Sequence, residues 1–431
     1  MKRYRPFLVF TAIFAALLLA LYLMLVLFAT IPNASVRTQA LESARYFVNE
    51  ESFAFTEDMQ HQNITDNYAD QIWTNISWYM GCGNPFHSVL DTKYYDGGNY
   101  FTSAGLYMGI TREHDANVDY TRYWHGTAGL IRMLHLFMDI QGVRKLGMFC
   151  LLLLVAKTIL TLCRMGHWDL GLCVLASLLA VQFGNLRLSV EYLPSFLICF
   201  SLCPAFLRKE QKGDFYLHVL GVISGTLTAF FDFLTTETVT ILIPLILVIA
   251  IRSRERRLGS PRQVMKTLAG TGLCWGAAYA GTFLAKWIAV SLATGADHIQ
   301  DAWSFAENRI SGVVSVGQVQ RVPGLVMALG ANFTALFEGT SRTEFRRAFG
   351  YLAIILVAIV IVYRVYRVRK KIHPGTGFLL LLGCVVFLRY AVLANHSYMH
   401  AFFTYRALAS TILAVLSALV INLRPIKRKV V

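Results

Sequence analysis

Apolar residues in this chain fall into long unbroken runs, separated by polar segments of very unequal length. Such runs predict membrane-crossing α-helices rather than a β-barrel, whose strands alternate residue by residue. Ten spans are expected, near 7–30, 147–163, 170–184, 192–207, 215–231, 238–251, 267–293, 349–364, 376–393 and 407–423. Several fall short of the roughly 20 residues a bilayer requires, so their ends are expected to reach into flanking polar sequence. The fold class that follows is an all-α polytopic membrane protein. It divides into a first helix (1–30), a polar cap region (31–146), helices two to seven (147–293), a second polar region (294–348), and helices eight to ten with a basic tail (349–431).

Composition supports this reading. Of the 431 residues, 56% are hydrophobic and 15% charged, against roughly 25% charged in soluble domains. The first apolar run exceeds the usual h-region of about 7–15 residues, so it reads as an uncleaved span rather than a signal peptide. The formal charge of +15 would point to nucleic acid in a soluble chain. Here its distribution argues otherwise. With the N-terminus inside, the inner segments are "MKRYR", "RMGHWD", "RKEQKGD", "RSRERRLGSPRQVMK", "RVYRVRKK" and "RPIKRKVV". Together they hold about 22 of the 40 Lys and Arg but about 4 of the 25 Asp and Glu. That is the positive-inside bias, which places both termini in the cytoplasm of a cell with a plasma membrane and sets nucleic acid aside. Seven of the eight cysteines lie in or beside apolar runs and only Cys82 in a long polar loop, so they read as packing residues.

The two large polar regions then face outward. The first contains helix-like "VRTQALESARYFVNE" and "DNYADQIWTNISWYM", and ends in "RYWHGTAGLIRMLHLFMDIQGVRKL", which reads as an interfacial helix. The second contains helix-like "DHIQDAWSFAENRI" and an apolar "GLVMALGANFTALF" suited to a re-entrant helix. Sequons at Asn33, Asn63, Asn75, Asn332 and Asn395 also fall outside, either as glycosylation acceptors or as ordinary loop polarity.

Candidate chemistry gathers at the same level. No P-loop, GxGxxG or HExxH motif is present, which disfavours nucleotide-driven transport and zinc-protease chemistry. Asp66 and Asp70 stand four apart and suit a general base or a divalent cation, or simply a solvated helix face. Arg122 and His125, beside Tyr123 and Trp124, suit a phosphate at the membrane surface or an anchor belt. Arg187 and Glu191 read as an i,i+4 pair. Asp232, flanked by Phe230, Phe231 and Phe233, is costly unless paired or facing water. Lys286 and Arg389 either snorkel or line a polar cavity with it. Near the end, "NHSYMHAFFTYR" carries His396, His400, Tyr405 and Arg406. The histidine spacing permits zinc, but no third ligand accompanies it; an interfacial belt and a phosphate-facing wall are the other readings.

Four phrases carry a resemblance: "DNYAD", "RYWHG", "FDFLTTETVT" and "NHSYMHAFFTYR". By them the chain resembles a group of bacterial polytopic membrane proteins. Its layout is similar to glycosyltransferase superfamily C (GT-C). That resemblance implies an outward active site and a polyprenyl-phosphate-linked sugar donor. It also implies a glycan or lipid acceptor in the cell envelope and an acidic base in the first outer loop. The chain departs from the pattern in having only Glu42 just after the first span, which leaves Asp66 or Asp70 as the substitute base. A transporter or flippase of lipid-linked glycans, which would carry mid-span polar residues and internal symmetry, is the competing class. A non-catalytic assembly protein is the other.

Overall fold

The computed structural model describes residues 5–55, 64–98, 104–316, 319–321, 324–337, 363 and 372–423. It is about 79% helical. Among the described residues, seven helices are long and apolar enough to cross a membrane: Pro6–Ala29, Ile140–Arg164, Val190–Lys212, Asp214–Phe231, Pro261–Thr294, Gly375–Val392 and Ala401–Asn422. The chain is an all-α integral membrane protein.

In chain order the helices are α1 (Arg5–Ala29), α2 (Asn33–Asn49), α3 (Asn67–Tyr79), α4 (Pro85–Ser88), α5 (Gly105–Thr111), α6 (Gly126–Leu134), α7 (Ile140–Arg164), α8 (Trp168–Ala180), α9 (Pro194–Lys209), α10 (Asp214–Phe231), α11 (Val239–Arg254), α12 (Pro261–Thr294), α13 (His298–Ser311) and α14 (Leu325–Phe337). Beyond them lie the helix Gly375–Val392, the short helices Ala394–Met399 and Ala401–Thr404, a 3₁₀ turn over Tyr405–Ala407, and the helix Leu408–Leu423. Among the described residues, three two-stranded antiparallel pairings accompany them: β1 (Phe53–Phe55) with β2 (Ile64–Asp66), β3 (Lys93–Tyr94) with β4 (Val118–Asp119), and β5 (Val314–Val316) with β6 (Val319–Arg321).

Two expected spans are too short. The third is α8, 13 residues followed by a 3₁₀ turn over Phe183–Leu188. At 1.5 Å per residue it covers about 20 Å of a roughly 30 Å hydrocarbon core. The sixth is α11, 16 residues long and buried on every side from Val239 to Ile251. An all-round apolar helix packs as a central post as readily as it faces lipid. Around this post stand α9, Gly375–Val392 and Leu408–Leu423. The stretch expected as the eighth span, 349–364, lies outside the described residues apart from Tyr363, as do the basic runs at 364–371 and 424–431.

α10 and α12 pack closely because Gly221 and Gly225 present no side chain; a Cβ at Gly225 would collide with the carbonyl of Trp275. Small residues of this kind let two membrane helices bring their backbones together. At the end of the bundle that carries the polar regions, α2, α3 and α6 form a second apolar core around Trp73, Ile76 and Ile131. The stretch expected as an interfacial helix forms α6, which packs on α1 and α3, and leads into α7. "GLVMALGANFTALF" forms the short helix α14, buried through Ala328, Asn332 and Ala335.

Four sequons sit in the described structure with their amides engaged. Asn33 Nδ2 donates to Cys82 Sγ (3.3 Å), Asn75 Nδ2 to the Tyr95 carbonyl (2.8 Å), Asn332 Nδ2 to the Ser397 carbonyl (2.8 Å) and Asn395 Nδ2 to the Asn308 carbonyl (2.8 Å). Asn63 lies outside the described residues.

Candidate functional site

A cavity of about 660 Å³ opens at the polar end of the bundle. Its polar wall combines Asp66 and Glu191 with Arg122, Arg309, His298, His396 and His400; aromatic faces come from Tyr68, Tyr94, Tyr120, Phe233 and Phe305.

Asp66 ends β2 and N-caps α3, its Oδ1 accepting from the Ala69 amide at 2.9 Å. Aspartate is a preferred cap because its short carboxylate reaches a free amide of the first turn. The cap holds the side chain at a strand–helix junction facing the cavity. Glu191 arrives from a 3₁₀ turn over Val190–Tyr192 and is 4% exposed. The Glu191 carboxyl lies beside that of Asp66, and two acids this close in a buried site do not both ionise freely. Burial raises Asp66 to about 6; the Ala69 and Glu191 hydrogen bonds and Arg144 oppose that rise, while Asp70 adds to it. Glu191 Oε2 has no hydrogen-bond partner among the described residues.

Asp70 does not reach the cavity. Arg144 Nε donates to its Oδ2 (2.6 Å), while Ser189 Oγ (2.7 Å) and the Val190 amide (2.9 Å) donate to its Oδ1. It thereby fixes the turn that carries Glu191. Arg187 and Glu191 are not an i,i+4 pair: extended Ser189 (φ −151°, ψ 145°) separates their turns, leaving Arg187 exposed and Glu191 buried.

Asp232 also lies behind the wall. Ser195 Oγ (2.8 Å) and Thr235 Oγ1 (2.6 Å) donate to its Oδ1, and the Thr235 amide (3.0 Å) to its Oδ2. Burial, then the nearby Glu237, raises it to about 6. The next residues turn sharply, with Leu234 left-handed at φ 61°. A branched residue adopts that conformation only when its surroundings insist. Here Arg389 Nη2 and His396 Nε2 both donate to the Leu234 carbonyl at 2.8 Å, and Arg389 Nε donates to Glu237 (2.9 Å). The clamp drives Phe233 into the cavity. Arg389 is thus an internal strut and does not snorkel.

Lys286 is 0% exposed and donates to the carbonyls of Val89 (3.0 Å) and Leu90 (2.6 Å). It neither snorkels nor lines the cavity. His125 Nε2 donates to the Tyr120 carbonyl (2.8 Å), beneath the Tyr120 ring that faces the cavity. Burial, then the Lys286 charge, lowers its pKa to about 3. The following Gly126 is a packing necessity: a Cβ would come within 2.5 Å of the Phe230 ring.

At the other wall, Arg309 Nη1 donates to His400 Nε2 (3.0 Å), which makes that ring nitrogen an acceptor. The His396 ring lies tilted 4.6 Å from that of His400, its own Nε2 spent on Leu234. Both rings are held far below the ordinary histidine range, by burial first and neighbouring charge second, His400 to about 3. The i,i+4 zinc geometry is therefore not formed. Among the described residues, no group of three or more His, Cys, Asp or Glu is placed to hold a metal ion. Tyr405 donates to the Val181 carbonyl (3.2 Å), and Arg406 lies buried on the rings of Tyr192 (4.6 Å) and Tyr405 (4.9 Å). Neither faces the cavity.

Of the expected residues, the cavity brings together Asp66, Arg122, His396 and His400. Arg309, from α13, was not singled out by sequence; its signal is a lone cation four residues beyond Phe305 on an amphipathic helix. Arg122 stacks on Phe305 (3.4 Å) and Tyr120 (4.4 Å). Among the described residues, neither Arg122 nor Arg309 is ion-paired.

A second cavity, about 400 Å³ and almost wholly apolar, lies between α6, α7 and α9, lined by Leu130, Leu146, Leu193 and Leu197. The two share a partition: Val190 faces the groove and Glu191 the polar cavity.

Fold and site define an integral membrane protein with a preformed acidic and cationic pocket at one end of its bundle. No family model, curated protein or solved structure matches the chain.

Proposed function

We propose that this pocket is the active site of a membrane glycosyltransferase, which moves a sugar from a polyprenyl-phosphate donor to a glycan or lipid acceptor of the cell envelope. One observation carries the reading: a buried carboxyl pair, Asp66 with Glu191, shares a cavity with two arginines not neutralised by acids. Glycosyl transfer from a phosphate needs those two functions. Asp66, as carboxylate, takes the proton of the acceptor hydroxyl. The acceptor oxygen bonds to the anomeric carbon as the carbon–oxygen bond to phosphate breaks. The phosphate leaves with the electron pair, and Arg122 and Arg309 stabilise its charge.

Supporting features follow. Tyr68, Tyr94 and Tyr120 offer flat faces to a sugar ring. The apolar groove behind Glu191 suits a polyprenyl tail. The layout is similar to glycosyltransferase superfamily C, with Asp66 in the place of the first-loop base. In this reading the pocket faces outward from a bacterial plasma membrane, and both termini are cytoplasmic.

The test is sugar transfer by purified, vesicle-reconstituted protein across a panel of polyprenyl-phosphate sugars. Asp66→Asn should lower the rate by at least about 100-fold, the usual scale for a general base. Undiminished transfer by Asp66→Asn removes the proposed base; no transfer from any donor removes the reading.

A further inference from the structure

The helix α13 has three faces. At 3.6 residues per turn, His298, Asp301, Phe305 and Arg309 fall together and line the pocket. Gln300, Ser304, Glu307 and Ser311 fall together on a wholly polar, exposed face. Ile299, Trp303 and Ile310 form the third, a stripe roughly 40° wide at that periodicity. Trp303 is 68% exposed, and both isoleucines are exposed too.

We infer that this stripe seats α13 in the lipid headgroup–acyl boundary, so that the pocket wall it forms lies at the membrane surface. Three observations name lipid as the occupant. The membrane-crossing α12 runs to Thr294, and only three residues separate it from α13, so α13 follows directly on a span. Exposed apolar side chains continue the stripe on both sides in sequence, Leu292 on the last turn of α12, then Val313, Leu325 and Val326. A tryptophan between isoleucines, beside a polar face of Gln300, Ser304, Glu307 and Ser311, suits an interfacial helix. The pocket is consequently reached at headgroup depth, where a lipid-linked phosphate resides. The inference stands whether or not the pocket transfers a sugar.

The test uses full-length protein in vesicles. The chain has seven tryptophans, so the emission lost in Trp303→Phe isolates Trp303. That difference emission should be quenched by lipids brominated near the headgroup and shielded from aqueous iodide. A second variant, Glu307→Trp in the Trp303→Phe background, should show the reverse. Iodide quenching of Trp303 without quenching by brominated lipid overturns the inference. Protection from both quenchers overturns it as well, because the stripe is then covered by protein.

Discussion

The two ends of the bundle use the same residue types to opposite effect. At the end away from the pocket, acids and arginines are matched. Arg252 reaches Glu210 and Asp214 (both 3.1 Å), Arg257 reaches Glu210 (2.6 Å) and Glu255 (2.5 Å), and Arg254 reaches Asp169 (2.5 Å). His167 adds a contact to Glu255 at 3.0 Å. Burial pushes Glu255 up, but hydrogen bonds from His167 and Arg257 outweigh it and hold the carboxyl below its ordinary value. In the pocket itself, burial raises Asp66, while Arg122 lies on aromatic rings and Arg309 on a neutral imidazole. Matched charges tie elements together. Unmatched charges beside a raised carboxyl are the arrangement on which the proposed active site rests.

This contrast can be broken in order of expected effect. Asp66→Asn should cost at least about 100-fold in transfer with little change in thermal stability. Glu210→Gln should do the converse. Its carboxylate is fully buried between two arginines, and breaking such a pair costs about 3–5 kcal/mol. Thermal unfolding should move down sharply while the donor KM of the folded fraction stays put. Arg309→Ala should raise the donor KM by about 10-fold, the scale of one charge-assisted phosphate contact, without lowering the unfolding temperature as Glu210→Gln does. The pH profile should rise through about 6, because Asp66 is raised to that value and serves as base only once deprotonated. A flat profile from pH 5 to 8 would detach Asp66 from the rate-limiting step. Arg187→Ala, at an exposed turn, should change stability by less than about 0.5 kcal/mol and leave transfer intact.

Much of the membrane fold was legible because lipid exposure demands long apolar runs. The limits were physical. α11 reads like a span, yet it is a post inside the bundle; burial against protein and against lipid select the same side chains. α8 reads longer than it is because its apolar sequence continues into a 3₁₀ turn. At the site, residue type was legible and direction was not. Asp70, His125, Asp232, Lys286 and Arg389 announced themselves as polar groups near the membrane, but each is turned onto backbone carbonyls, hydroxyls or partner charges behind the wall. Glu191 was visible but assigned to Arg187, since helical spacing was carried across a break at Ser189. Arg309 gave only the signal of one cation on an amphipathic helix.

Arg132, on α6, is fully buried and donates to carbonyls near the ends of two other helices: Phe28 and Ile31 where α1 stops, Ser77 and Trp78 where α3 stops. One guanidinium therefore answers the negative poles of two helix dipoles. It also accounts for acceptors that α1 and α3 cannot satisfy themselves. During synthesis, the exit end of the first helix is completed only after the chain has emerged through residue 132. The whole polar segment between them is made before its anchor point closes, which makes α6 the keystone of assembly order at this end of the protein.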